Sequence, residues 1–417
     1  MKKIYLLLLF GIIFLLSCSN NSRNSLVNDN KTIDSVKLPY LIDIEKQLKK
    51  EKSVLLSSIG KELEYIPLET TPNSMMGDIL NIKFTTDYIF LTANPANGLL
   101  QFDRKGKFIR IVGSRGRGPG EIDLIVNMSV LSDKKLIIVQ TNVGRKLLYF
   151  TFDGDFVKTI TFTSYVPYVK VLRDGKYLTH DDGGSGKNEY TFCLVNEKMD
   201  TISVLKNYNH WVYTQKMMIG IGFPQFVPYY ESGGRNYFKT MYNDTVFSVL
   251  SDKIIPSYYI DLGKYRLPIE LRPERLGPDN MQKFQDKRSD YYFATVFQGS
   301  DKLFLTTYCY GKNPQNYFLF KLVSQTGSLL VNKSGTSTGF VNDWDGGIDF
   351  WPIGTITDKQ VFMPINITSI QKELDRMKSS KKPAKFPDQQ KQLIKMISEE
   401  DPFNNPILMV VTLKNQN

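Results

Sequence analysis

The chain has 417 residues, 53 lysines and arginines against 42 aspartates and glutamates, three cysteines and two histidines, for a formal net charge of +11. Three cysteines exclude a disulfide-stapled scaffold, and two histidines exclude a metal centre built from three. The basic residues are dispersed except around Lys378–Lys385, so the charge speaks for solubility or weak attraction to acidic surfaces.

The first 17 residues read as an export leader. Lys2 and Lys3 precede Ile4–Leu16, an apolar run too short and wrongly flanked for a stable membrane span. It ends in Leu15-Leu16-Ser17-Cys18, which resembles the lipobox of bacterial lipoproteins, in which the cysteine is acylated after cleavage. The competing reading is an ordinary leader with an incidental cysteine. Two or three acyl chains on Cys18 would anchor the chain stably where one would not. For an exported chain no nucleic-acid partner is expected. Residues 18–61 follow as a polar tether, with a short helix expected over 40–52. No acidic run follows Cys18; the resemblance to bacterial lipoproteins, whose surface export is associated with such a run, then implies the periplasmic side of the outer membrane.

From Leu63 one pattern repeats: an apolar strand, a tight turn around Asp or Gly, a second apolar strand. The turns centre on Asp87, Asp133, Asp174, Gly233, Asp301 and Asp358. Each is followed by an apolar run: YIFL, LIIV, YLTH, YFKT, LFLT or VFMP. Asp and Gly suit such turns because they tolerate positive φ or bond their own backbone. A second turn series, DRKGK, FDGD, EKMD and SQTG, follows the third strand in most copies. Four antiparallel strands per repeat, six times over, is the grammar of an all-β, six-bladed β-propeller. Neither Leu63–Leu68 nor Ile407–Leu413 has a full blade of its own, so the N- and C-terminal strands are expected to share the sixth blade and close the ring. The propeller is placed at 62–413. Helical insertions are expected near 266–290 and 369–401, and an aromatic loop at 207–228. Cys193 and Cys309 lie in strands of different blades and read as lone thiols.

The stretch NGLLQFDRKGKFIRIVGSRGRGPGE, ending at Glu121, resembles a repeat of NHL-type propellers, in which strand, D-x-x-G-K turn and strand lead into a glycine-rich exit. YNDTVFSVL, PSYYIDLG and NDWDGGIDFWP look like the six-bladed β-propeller lipoproteins of Bacteroidota. The resemblance covers about 62–413. It implies fold and location far more than chemistry.

In a propeller the turns between first and second strands lie on one face. The strand-two-to-three loops and the inter-blade connectors lie on the other. Every insertion and unusual motif falls in the second set, and loops of this kind carry function on a rigid scaffold. Arg115, Arg117 and Glu121 in the Gly113–Glu121 connector either pair with one another or offer guanidinium forks to a carboxylate or phosphate. His180 with Asp181, and His210 with Trp211, are further ligand candidates. Trp344 and Trp351 could stack on sugar rings or pack between blades. Asp343, Asp345 and Asp349, with Gly346 and Gly347 between them, suit calcium by ligand type. However, EF-hand spacing is absent, and the alternative is an Asp-rich turn capping its own backbone. No other cofactor is implied.

No residue set marks a catalytic centre. There is no G-x-S-x-G elbow, and neither strand cysteine sits in a nucleophile's motif. The first reading is a binding or scaffold lipoprotein of the envelope holding a glycan, a peptide or a protein. The alternatives are a glycan- or peptide-acting hydrolase or lyase using Asp, Arg and His of the same face, and a sensor subunit of an envelope complex.

Overall fold

The structure is a computed structural model that describes residues 39–414 apart from 95–97, 142–144, 163–165, 181–187, 209–228, 241, 272–281, 283–285, 311–314, 332–337 and 380–383. Six antiparallel four-stranded blades follow one another around a ring. Blade one spans residues 78–112, blade two 127–161, blade three 168–206, blade four 229–261 and blade five 292–330. Blade six takes Gly354–Thr357, Gln360–Ile365 and Ile407–Leu413, and its outermost strand is Gly60–Pro67. The two ends of the chain therefore share one blade, as the unpaired terminal strands predict. Pairing Ile407 with Pro67 and Val411 with Leu63 leaves no open edge between first blade and last.

Each of the six sequence turns falls between the first and second strands of a blade. The runs after them form the second strands, in which Ile89–Leu91, Ile137–Val139 and Leu303–Leu305 are 0–1 % exposed. These strands do not alternate because both of their faces are covered, one by each neighbouring blade. The core is correspondingly divided into wedges. One apolar cluster fills each junction, from blades one and two round to blades six and one. The outermost strand of blade two, Phe156–Thr161, is largely exposed and carries Lys and Thr in place of that continuous run.

Residues 40–52 form a belt on the ring rather than one helix, and the expected tether up to residue 38 lies outside the described residues. Tyr40–Asp43 adds a fifth, parallel strand to the outer edge of blade four, and Glu51–Lys52 does the same on blade five. Only Ile44–Leu48 of the expected 40–52 helix is helical, capped by Asp43, whose carboxylate accepts from the Lys46 N–H at 2.8 Å. The physical reason is alternation: Tyr40 and Ile42 are buried and Leu41 is 59 % exposed, a strand's period, and blade four offers a free edge.

The 369–401 insertion is two helices, Ile367–Ser379 and Pro387–Ser398. They bury Ile370, Leu374, Met377, Leu393 and Ile397 against Phe340, Phe350 and Trp351. Within 266–290 the described residues include a 3-10 turn at Ile269–Leu271, and much of the rest lies outside the described residues. Cys193 and Cys309 are unbridged, the first half-buried and the second buried.

Candidate functional site

The connector from blade one to blade two is held by its own backbone. Ser114–Arg115 pairs in parallel with Glu121–Ile122, and Gly113 enters this pairing with φ +72°. The Gly116 N–H donates to the Ile122 carbonyl at 3.1 Å. Glu121 folds inward: its carboxylate accepts from the Gly118 N–H at 2.8 Å, over the space where a Gly116 Cβ would stand. The glycines are thus explained by a carboxylate and a backbone packed together. Arg115 and Arg117 are exposed, and among the described residues neither forms an ion pair with Glu121. Their guanidinium groups remain open to solvent.

The connector from blade five to blade six is a latch. Asp343 accepts from the Ser57 N–H at 2.9 Å and the Ser57 hydroxyl at 2.6 Å, tying the belt to the ring. Asp345 accepts from the Asn342 amide at 2.8 Å and the Gly347 N–H at 2.9 Å. Asp349 accepts from the Asn342 N–H at 3.0 Å and the Thr338 hydroxyl at 3.2 Å. Burial raises the Asp345 carboxyl above its usual range, offset in part by the Gly347 N–H. Asp345 and Asp349 serve donors of their own loop and Asp343 those of Ser57, and among the described residues no group of three acidic, His or Cys side chains is placed to hold a metal ion. As arranged, all three carboxylates are engaged by protein donors, and Asp345 and Asp349 cap their own turn.

Trp344 and Trp351 are 5 % and 8 % exposed, so neither offers a ring to a sugar. Trp351 stacks on Phe340 and donates its indole N–H to the Thr306 hydroxyl at 2.8 Å. Trp344 packs on Phe386 of the helical insertion, with ring centroids 4.9 Å apart. Both occupy core positions because the insertion covers them, which the connector's sequence by itself does not reveal.

His180 closes the second strand of blade three and is 1 % exposed, so it is not presented to a ligand at the surface. It is sandwiched between Phe192, 4.4 Å away, and Tyr168. Among the described residues neither ring nitrogen has a hydrogen-bond partner, and burial pushes its pKa down to about 3. A neutral imidazole walled in by aromatics cannot serve as a general base for a solvent-borne substrate. Asp181, His210, Trp211 and Cys18 lie outside the described residues.

Sequence reasoning missed a charged cluster at the other end of the ring. Lys83, Lys170 and Glu231 are the next-to-last residues of the first strands of blades one, three and four. Lys83 lies within electrostatic range of both Lys170 and Glu231, although blades one and four stand opposite each other. The three side chains therefore approach across the central channel. Burial lowers the Lys83 pKa to about 8, with Lys170 lowering it further and Glu231 opposing the shift. Burial also lowers Lys170. Arg173, on the turn beyond Lys170, reaches Glu231 at 2.6 Å.

No curated protein matches the sequence. Among solved structures, a Bacteroides fragilis protein described as exported superposes with a TM-score of 0.65 at 16% identity, covering 90% of this chain and 100% of that one. A DUF4221-family member from Bacteroides vulgatus gives a TM-score of 0.50 at 9% identity, over 86% of this chain and 98% of its own. At these identities the likeness is one of fold. The family described as "Domain of unknown function (DUF4934)" matches residues 39–412, from the first strand of the belt to the last strand of the ring, and the chain belongs to it.

Proposed function

We propose that this protein is a binding module of the cell envelope. In this reading it is exported, carried on lipid at Cys18 on the periplasmic side of the outer membrane, and holds a peptide or protein partner on its connector face. The observation that carries the reading is the distribution of exposed apolar side chains. Met75, Leu124, Tyr208, Ile269 and Ile353 are 58 %, 60 %, 79 %, 46 % and 51 % exposed, each in a different inter-blade connector. Phe403, at 86 %, lies in the strand-two-to-three connection of blade six on the same face. Single exposed apolar residues are ordinary on any surface, but one in nearly every connector of one face makes a distributed apolar surface of the kind that partners cover. The burial of Trp344 and Trp351 favours a peptide or protein over a glycan, since these rings were the described candidates for sugar stacking.

Parallel peptide and glycan arrays probed with the purified protein test this. Peptide binding that a Leu124→Ser/Ile353→Ser/Phe403→Ser triple variant loses, with unchanged Tm, supports the reading. Binding confined to glycans, peptide binding unaffected by the triple variant, or turnover of an arrayed ligand overturns it.

A further inference from the structure

In their pairing, the channel lysines Lys83 and Lys170 differ from Lys302 and Lys176. Lys302 is buried but bonded to Asp301 at 2.6 Å, and Lys176 is paired with Asp174 at 2.8 Å. Lys83 and Lys170 have no hydrogen-bond or ion-pair partner among the described residues, and the one carboxylate near them, Glu231, is already engaged by Arg173. Three cations thus face one anion, Lys83 and Lys170 half-buried on the inner strands and Arg173 65 % exposed at the turn. The mouth above them is narrowed by a strap: the Gly233 N–H of blade four donates to Asp358 of blade six at 2.8 Å, across the ring. Two half-buried ammonium groups on rigid first strands, offset by a single shared carboxylate, favour an anion between them.

We propose that the turn-side end of the central channel is a binding site for a small oxyanion, a phosphate or carboxylate group, held between Lys83 and Lys170 and kept in register by the Arg173–Glu231 pair. The ammonium groups act as point charges with rotatable donors, which suits an oxyanion approaching along the channel axis. Val130, Gln298 and Ile356 hold the corresponding positions in blades two, five and six. The charges at this level are thus carried by blades one, three and four, and uncharged side chains hold the positions in the other three blades. The site stands independently of the connector-face reading, because it lies at the other end of the channel.

Inorganic phosphate and acetate, titrated at constant ionic strength and followed by calorimetry, are the probes. Saturable binding of at least one is expected, and which one binds distinguishes a phosphate-bearing from a carboxylate-bearing ligand. Lys83→Met and Lys170→Met are each expected to weaken it roughly tenfold or more, the worth of one charge-assisted hydrogen bond, while Lys83→Arg retains it. At pH 8.5 binding is expected to take up protons, seen as a buffer-dependent enthalpy, because an anion beside Lys83 stabilises its charged form in the company of Lys170, Glu231 and Arg173. A second measurement does not depend on the variants folding: saturating phosphate or acetate should slow chemical acetylation of Lys83 and Lys170 in the wild-type chain, relative to the exposed Lys61. Absence of saturable binding by either probe, binding equal in wild type and both methionine variants, or acetylation rates unchanged by the bound probe would overturn the proposal.

Discussion

The backbone N–H of Gly233 reaches the carboxylate of Asp358 at 2.8 Å although their blades, four and six, do not neighbour each other in the ring. One hydrogen bond thus spans the channel mouth and ties together two turns that chain order separates widely. Asp358→Ala is expected to lower stability by about 1 kcal/mol, the net worth of one such bond. Urea denaturation checks this, and Asp358→Asn, which keeps an acceptor, should recover most of the loss.

His180 makes a pH prediction. Its folded pKa, about 3, lies below its ordinary value of 6.5, so the unfolded chain takes up the proton first. The neutral ring's contribution is fully present above about pH 6.5 and is lost as pH falls towards 3, by up to about 1.4 kcal/mol per pH unit. His180→Phe fits the slot between Tyr168 and Phe192 and removes two nitrogens that have no partner among the described residues. It should raise stability at pH 5 by more than at pH 7.5, as read from urea midpoints at the two values. An equal effect at both would remove the buried-histidine account.

At Asp345 the prediction separates latch from metal ligand. Asp345→Asn keeps an oxygen for the Gly347 and Asn342 donors and relieves a buried carboxylate whose pKa burial raises, so stability should be unchanged or higher. Asp345→Ala orphans both donors and should cost about 1–3 kcal/mol. Neither EDTA nor added calcium should move the wild-type Tm.

The first connector predicts an unequal response within the five residues from Gly113 to Arg117. Gly113→Ala forces a side chain into φ +72° against Ile122 and should cost about 1 kcal/mol or more. Arg115→Ala and Arg117→Ala, at exposed positions, should stay within about 0.5 kcal/mol. A scan of melting temperatures through the connector distinguishes the two classes.

The sequence by itself determined the ring. Turn residues at Asp87, Asp133, Asp174, Gly233, Asp301 and Asp358 are local signals, and apolar runs long enough to be covered on both faces leave few architectures besides stacked blades. The shared sixth blade was legible for the same reason, as two strands without partners. The belt was only half legible, because Tyr40 to Lys52 takes its strand form from edges offered by blades four and five.

Tertiary structure alone decided what the polar and aromatic residues do. Asp343, Asp345 and Asp349 look like a ligand set until Ser57, Asn342, Thr338 and Gly347 are seen to occupy them. Trp344, Trp351 and His180 look available until the helical insertion and the neighbouring aromatic strands cover them. Conversely Lys83, Lys170 and Glu231 are single charges in three distant strands, and only an alignment of the repeats by their turns would have shown them at one level of the ring. Burial and electrostatic coupling depend on what stands across the channel, and a linear pattern carries no record of which residues a closed ring brings face to face.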